Sequence, residues 1–148
     1  MSVQAYFPQI QPLESFRWAQ VSWAIDTDTL ILTLRNPARR NALSPTLLNE
    51  LAYGLSWAES QPEIRFIRLR AEGEVFCAGA DLQAFGGSLD PGSTVPPAAQ
   101  PIVLHSFFPL ITRPIIAEVT GDVWAGGLLL ITGATFVVAA KSIQFALP

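Results

Sequence analysis

The chain has 148 residues, of which 50% are hydrophobic and 14% charged, with a formal net charge of −3. That length suits about one domain, and high apolar content with so few charges excludes an intrinsically disordered chain. The acidic balance, with a pI near 5.0, excludes a surface built to neutralise nucleic-acid phosphates.

Residues 1–18 show no period and contain Pro8 and Pro12. They read as an irregular extension before a core over residues 19–148. The opening residues lack a basic segment followed by an unbroken apolar run, so no secretory signal is expected. Val21–Asp26 and Thr29–Arg35 are rich in strand formers and flank a tight turn at Asp26-Thr27-Asp28, which predicts a hairpin. Ser44 and Pro45 are a capping residue and a first-turn proline. Leu47, Leu48, Leu51, Leu55 and Ala58 follow at helical spacing, and Gln61-Pro62 ends the helix. Ile64–Leu69 reads as a strand, and Glu72-Gly73-Glu74 as a turn. Residues 86–101 form a Gly/Pro/Ser-rich loop of the kind that is mobile and borders active sites. Ile102–Ile111 predicts a helix bent near Pro109. Ile115–Val119 predicts a strand, Gly126–Ile131 the opening of a helix, Phe136–Ala140 a strand and Ile143–Ala146 a further extended piece. The order β-β-α-β-α-β-α-β points to a layered α/β fold with several parallel strands. No internal repeat of fixed period is visible.

The single cysteine, Cys77, excludes an intrachain disulfide and favours a reducing compartment. The apolar stretches Trp124–Ile131 and Phe136–Ala140 are too short to cross a hydrocarbon layer of about 30 Å. A soluble, cytoplasmic protein with no membrane and no nucleic-acid partner is therefore expected. Arg35, Arg39 and Arg40, with Arg65, Arg68 and Arg70, form the basic cluster. The pair Arg39–Arg40 suits one phosphate and equally suits solvated loop charge. No metal-ligand spacing and no phosphate loop with lysine is present.

Three segments run from a strand into a turn of small residues and then a helix: Val75–Leu82 (VFCAGADL), Val119–Leu128 (VTGDVWAGGL) and, more weakly, Arg39–Leu43 (RRNAL). Small residues admit a ligand close to the backbone, and a helix start offers free N–H donors. Two such turns facing each other make an oxyanion hole. Taken singly, each has a plainer reading, with Asp81 as a cap and Gly126-Gly127 as a close-packing pair. His105 reads as a packing or surface histidine, Cys77 as a small buried residue and Trp124 as pocket wall or core. Glu118 and Asp122 flank the second turn; Asp122 is the one that could face a site there, with a solvated turn residue as its default reading.

The runs NPARRNAL at 36–43, FCAGADL at 76–82, RPIIAEVTGDVWAGG at 113–127, FVVAA at 136–140 and QFALP at 144–148 occur in this order. Together they resemble the enoyl-CoA hydratase/isomerase, or crotonase, superfamily over about residues 20 to 148. The resemblance implies a spiral of β-β-α units, truncated before the C-terminal helices, and assembly as a homo-trimer or a hexamer made of two trimers. It implies an acyl-CoA thioester as substrate, with coenzyme A as part of that substrate and no separate cofactor. By position it makes Ala80 and Gly126 the two oxyanion N–H donors. It places Arg40, Ala42, Ala78, Asp81 and Leu82 along the coenzyme A and pantetheine channel. Two departures matter. The family's hydratases carry a glutamate three residues after the second oxyanion glycine, where this chain has Leu129. The second family glutamate follows the proline matched by Pro148, the final residue. The residue set therefore suits isomerase- or decarboxylase-like chemistry if a longer parent chain supplies the base. The alternative is a non-catalytic or truncated chain that keeps the fold, and either binds acyl-CoA or only assembles with partners.

Overall fold

The computed structural model describes residues 1–81 and 87–147. Strands β1 (Val21–Asp26) and β2 (Thr29–Leu34) form the expected antiparallel hairpin, with Asp26 opposite Thr29 and Val21 opposite Leu34. Leu30, Leu32 and Leu34 alternate inward and are fully buried, as a period of two requires. Helix α1 (Pro45–Ser60) starts where the sequence places it: the Ser44 hydroxyl accepts from the Leu47 N–H at 3.0 Å, and Pro45 takes the first helical position.

Strands β3 (Phe66–Ala71), β5 (Ile115–Val119) and β7 (Phe136–Ala139) extend the hairpin in parallel, giving the order β1-β2-β3-β5-β7. A second, smaller parallel sheet has the order β4-β6-β8, from β4 (Val75–Cys77), β6 (Asp122–Trp124) and β8 (Phe145–Ala146). Three successive strand pairs thus each give one strand to the large sheet and the next to the small one. That is a structural repeat. The connections between the pairs differ greatly in length, so no fixed sequence period accompanies it.

The helix expected over Ile102–Ile111 is shorter than its apolar run. Helix α2 covers Leu104–Phe107 only, and a 3-10 turn at Phe108–Leu110 follows, because Pro109 has no N–H to continue the ladder. A 3-10 turn at Ala125–Gly127 leads into α3 (Leu128–Thr132).

The first 18 residues are irregular apart from turns at Val3–Ala5 and Leu13–Ser15, yet they are well anchored. Val3, Tyr6, Phe7 and Leu13 are buried in the core. Phe7, Phe16 and Trp18 all pack edge-on against Tyr53 of α1. The Tyr53 hydroxyl accepts from the Gln11 N–H at 2.8 Å.

The described part of the Gly/Pro/Ser-rich loop, residues 87–101, is also tied down, which removes the premise for its expected mobility. Asn49 of α1 donates to the Pro96 carbonyl and accepts from the Ala98 N–H. Arg17 and Thr94 bond each other twice, Ala99 donates to the Tyr6 carbonyl, and Val95 is buried. Turn-forming composition marks the path of such a segment. Its anchoring is set by partners distant in sequence.

Strand β7 departs from the expected burial. An apolar run in a parallel sheet normally has both faces covered. Here β7 is the edge strand and all four of its residues are exposed, Phe136 and Val138 at 63% each.

Candidate functional site

The site is built from three turns brought to one place. In the first, Arg40 and Asn41 take consecutive left-handed conformations, φ 54° and 53°. Such a pair is costly for residues with a Cβ and persists only where the surroundings enforce it. Asn41 supplies that enforcement. Fully buried, it accepts from the Asn36 N–H at 2.7 Å and donates to the Glu72 and Val75 carbonyls. Sequence reasoning passed over Asn41. The available signal was that asparagine tolerates the left-handed region and bonds its own backbone neighbours. The twist hands the Arg40 carbonyl to the Ala78 N–H at 3.1 Å, and the Leu43 N–H to the Gly79 carbonyl at 2.7 Å. Leu43 and Ala80 then form an isolated parallel bridge.

The second turn leaves β4 at Cys77. Gly79 has φ +96°, a conformation that L side chains rarely adopt. The third leaves β6 at Trp124, and there Ala125 takes φ 50°. Each donor expected from the sequence, Ala80 and Gly126, thus directly follows a left-handed residue. The two turns abut: a Cβ built on Gly79 would lie 3.0 Å from the Gly126 nitrogen, and one built on Gly126 would lie 3.7 Å from the Ala80 nitrogen. Among the described residues, no acceptor takes either N–H. For Gly126 this follows from its place in the first turn of a 3-10 segment, where N–H groups have no partner further back.

Beside Ala80 lies a cavity of about 530 Å³. Leu43, Leu48, Ile102 and Leu129 are among its apolar lining, and His105 and Asp81 are its ionisable side chains. Asp81 is engaged by Arg39, whose guanidinium stands 2.7 Å from its carboxylate. A second cavity, also about 530 Å³, has a polar lining that includes Arg39, Asn36, Ser44 and Asp81.

The remaining expected site residues are distributed as follows. Ala78 is half-buried beside Arg40, and Arg40 is exposed. Ala42 is buried, so it reaches a ligand only through backbone around it. Leu82 lies outside the described residues. Neither acid that flanks the second turn is at liberty. Glu118 is bonded by Arg68, with Arg70 also near, and the Arg68 guanidinium holds its carboxyl below the usual range. Asp122 accepts from the Gln144 N–H at 2.8 Å and so fastens β8. Burial pushes the Cys77 thiol up to about 11, which disfavours the reactive thiolate. Among the described residues, no group of three or more His, Cys, Asp or Glu could hold a metal ion. Nor is any helix there long and apolar enough to cross a membrane.

Comparison with known proteins identifies the family. Residues 25–148 match the family model for enoyl-CoA hydratase/isomerase. The chain is 34% identical over 122 residues to the enoyl-CoA hydratase EchA19 of Mycobacterium tuberculosis, covering 79% of this chain and 45% of that protein. Among solved structures, an enoyl-CoA hydratase from Mycobacterium tuberculosis superposes with a TM-score of 0.70 at 29% identity, covering 86% of this chain and 48% of that one. A methylmalonyl CoA decarboxylase superposes with a TM-score of 0.68 at 27% identity, covering 88% and 48%. The chain therefore spans about half the length of the relatives it matches. Family match, paired sheets and abutting turns agree: this chain belongs to the enoyl-CoA hydratase/isomerase family and has the crotonase-like mixed α/β fold.

Proposed function

We propose that this chain binds an acyl-CoA thioester and stabilises its enolate with the N–H groups of Ala80 and Gly126. The observation that carries the reading is the pair of unaccepted N–H groups on two abutting turns, one of them on the wall of an apolar cavity. A thioester oxygen held between them accepts two hydrogen bonds that strengthen as it becomes an enolate oxygen, and electrostatic help of this kind counts most where charge develops. The cavity takes the acyl group. Arg40, Ala78, Asp81 and Leu82 are read as neighbours of the pantetheine and coenzyme A portion, with the exposed Arg40 facing a phosphate.

Hydration needs one carboxylate to activate water and another to protonate carbon. Leu129 on the cavity wall carries no proton, the Asp81 carboxylate there is paired with Arg39, and Glu118 and Asp122 are held by Arg68 and the Gln144 N–H. Chemistry of the isomerase or decarboxylase type, which needs fewer proton-transfer groups, fits better. A second reading, thioester binding without turnover, is favoured by the same shortage of carboxylates. Calorimetric titration with crotonyl-CoA and with free coenzyme A tests the proposal. The expected result is saturable binding, tighter for the thioester, with negligible hydration of crotonyl-CoA. Equal affinity for the two ligands would remove the thioester reading, and turnover at ordinary hydratase rates would remove the role assigned to Leu129.

The same proposal includes self-assembly, as a trimer or hexamer. Phe136, Val137, Val138, Phe145 and Leu147 form an exposed apolar run on β7, β8 and the residue beyond, and such surface is usually covered. Light scattering should report a mass of three or six chains. A monomer that stays soluble at high concentration would contradict this.

A further inference from the structure

We propose that His105 is the proton-transfer residue of this site, taking a proton from C2 of the bound thioester and returning one to it; this rests on the thioester reading above. His105 stands on α2, which packs against α3, the helix that carries Leu129. His105, Leu129 and Ala80 line the same cavity of about 530 Å³. An acyl group bound in that cavity with its carbonyl at Ala80 shares the space with His105. The imidazole therefore shares the cavity with the position where the family's hydratases keep a glutamate.

The surrounding groups leave it this task. Asp81, the other ionisable side chain on the cavity wall, is held by Arg39. Helix α3 contributes only apolar residues and a threonine. From the N-terminal segment, Tyr6 packs edge-on against Phe107 of α2 and is buried. Across the cavity, α1 presents Leu48 and Asn49, neither of which exchanges protons. An imidazole nitrogen can both take up a proton and give it back, the exchange that a C2 proton needs.

The step balances without a co-reactant. The C2–H bond breaks and its proton goes to an imidazole nitrogen. Its electron pair becomes the C1–C2 double bond, and the carbonyl π pair moves onto oxygen, between the Ala80 and Gly126 N–H groups. Return of a proton from the imidazolium to C2 regenerates the thioester. In D₂O the nitrogen exchanges with solvent, and the thioester gains deuterium at C2.

Mass spectrometry of butyryl-CoA incubated with the chain in D₂O reads this directly, beside calorimetric affinity for butyryl-CoA. The chain should catalyse C2 exchange well above the rate of the thioester in buffer alone. His105→Gln should slow exchange by about 10²–10⁴-fold. Its affinity for butyryl-CoA, measured in parallel, separates loss of exchange from loss of binding. Exchange that survives His105→Gln overturns the proposal. So does the absence of exchange from an unsubstituted chain that binds butyryl-CoA, and either result leaves the thioester reading standing. Failure to bind butyryl-CoA at all removes that reading and this proposal together.

Discussion

Gly126→Ala should fold normally and lose the thioester. A Cβ at this position meets nothing nearer than 3.7 Å, from the Ala80 nitrogen and a Leu43 methyl. That is ordinary van der Waals contact, so stability should change by less than about 1 kcal/mol, the usual cost of an alanine that fits its site. The methyl nevertheless stands beside the Ala80 N–H, in the space that the thioester oxygen would occupy. Affinity for crotonyl-CoA should fall at least about tenfold, the order of one charge-assisted hydrogen bond. C2 exchange should fall by about 10²–10³-fold, the usual effect of disabling one oxyanion donor.

The adjacent position is the control. A Cβ on Gly127 would lie 2.7 Å from the Cys77 carbonyl oxygen and 3.0 Å from its Cβ. Backbone must move to admit it, so Gly127→Ala should destabilise by about 1–3 kcal/mol before any question of ligand arises. Thermal melts with calorimetry on the two variants separate the roles. Undiminished thioester binding by a well-folded Gly126→Ala chain would show that the oxygen does not sit between these two turns.

Glu50→Ala should cost about 4 kcal/mol of stability, the sum expected when several bonds to one buried charge are lost and their donors stranded. Glu50 lies on α1, fully buried. Its carboxylate accepts from the N–H groups of Ala19, Gln20 and Val21 at 2.7, 2.8 and 2.8 Å. A carboxylate leaves water at high cost unless donors replace its hydration, and three backbone donors at the entry to β1 do so here. At roughly 4 °C per kcal/mol for a domain of this size, the melting temperature should fall by about 15 °C. Glu50→Gln keeps two acceptor lone pairs but turns an amide N–H₂ toward one backbone donor, so it should fall between the two. Urea denaturation measures both variants. A loss below about 1 kcal/mol for Glu50→Ala would mean that the segment before β1 is held by other means.

The consequence reaches the site. Gln20 also accepts from the Ser44 hydroxyl, which caps α1 one residue after the Leu43–Ala80 bridge. Loosening residues 19–21 should therefore loosen the first turn of the site before the sheet itself opens, and thioester affinity should fall at temperatures where Glu50→Ala is still folded.

Features governed by neighbours a few residues away were legible in the sequence. The β1–β2 hairpin, the Ser44-Pro45 helix start, the strand Ile115–Val119 and the small-residue turns around Ala80 and Gly126 each depend on alternation, capping or steric permissiveness, which short stretches encode. The family resemblance followed from the order of those turns. What the tertiary structure decided involves contacts between segments far apart. Strands β4, β6 and β8 have three, three and two residues, too few to carry a period, and exist because parallel partners hold them. Asn41 looked like one more loop residue until Glu72 and Val75 supplied its acceptors. Asp122 and Glu118 looked available until Gln144 and Arg68 claimed them. His105, read from sequence as a packing or surface residue, is exposed on the wall of a cavity that only the fold forms. The left-handed turn at Ala125, which a residue with a Cβ resists, lies against Gly79 of a turn far away in sequence. Local propensity specifies elements. Which orphan N–H faces which cavity is settled only when the two sheets close on each other.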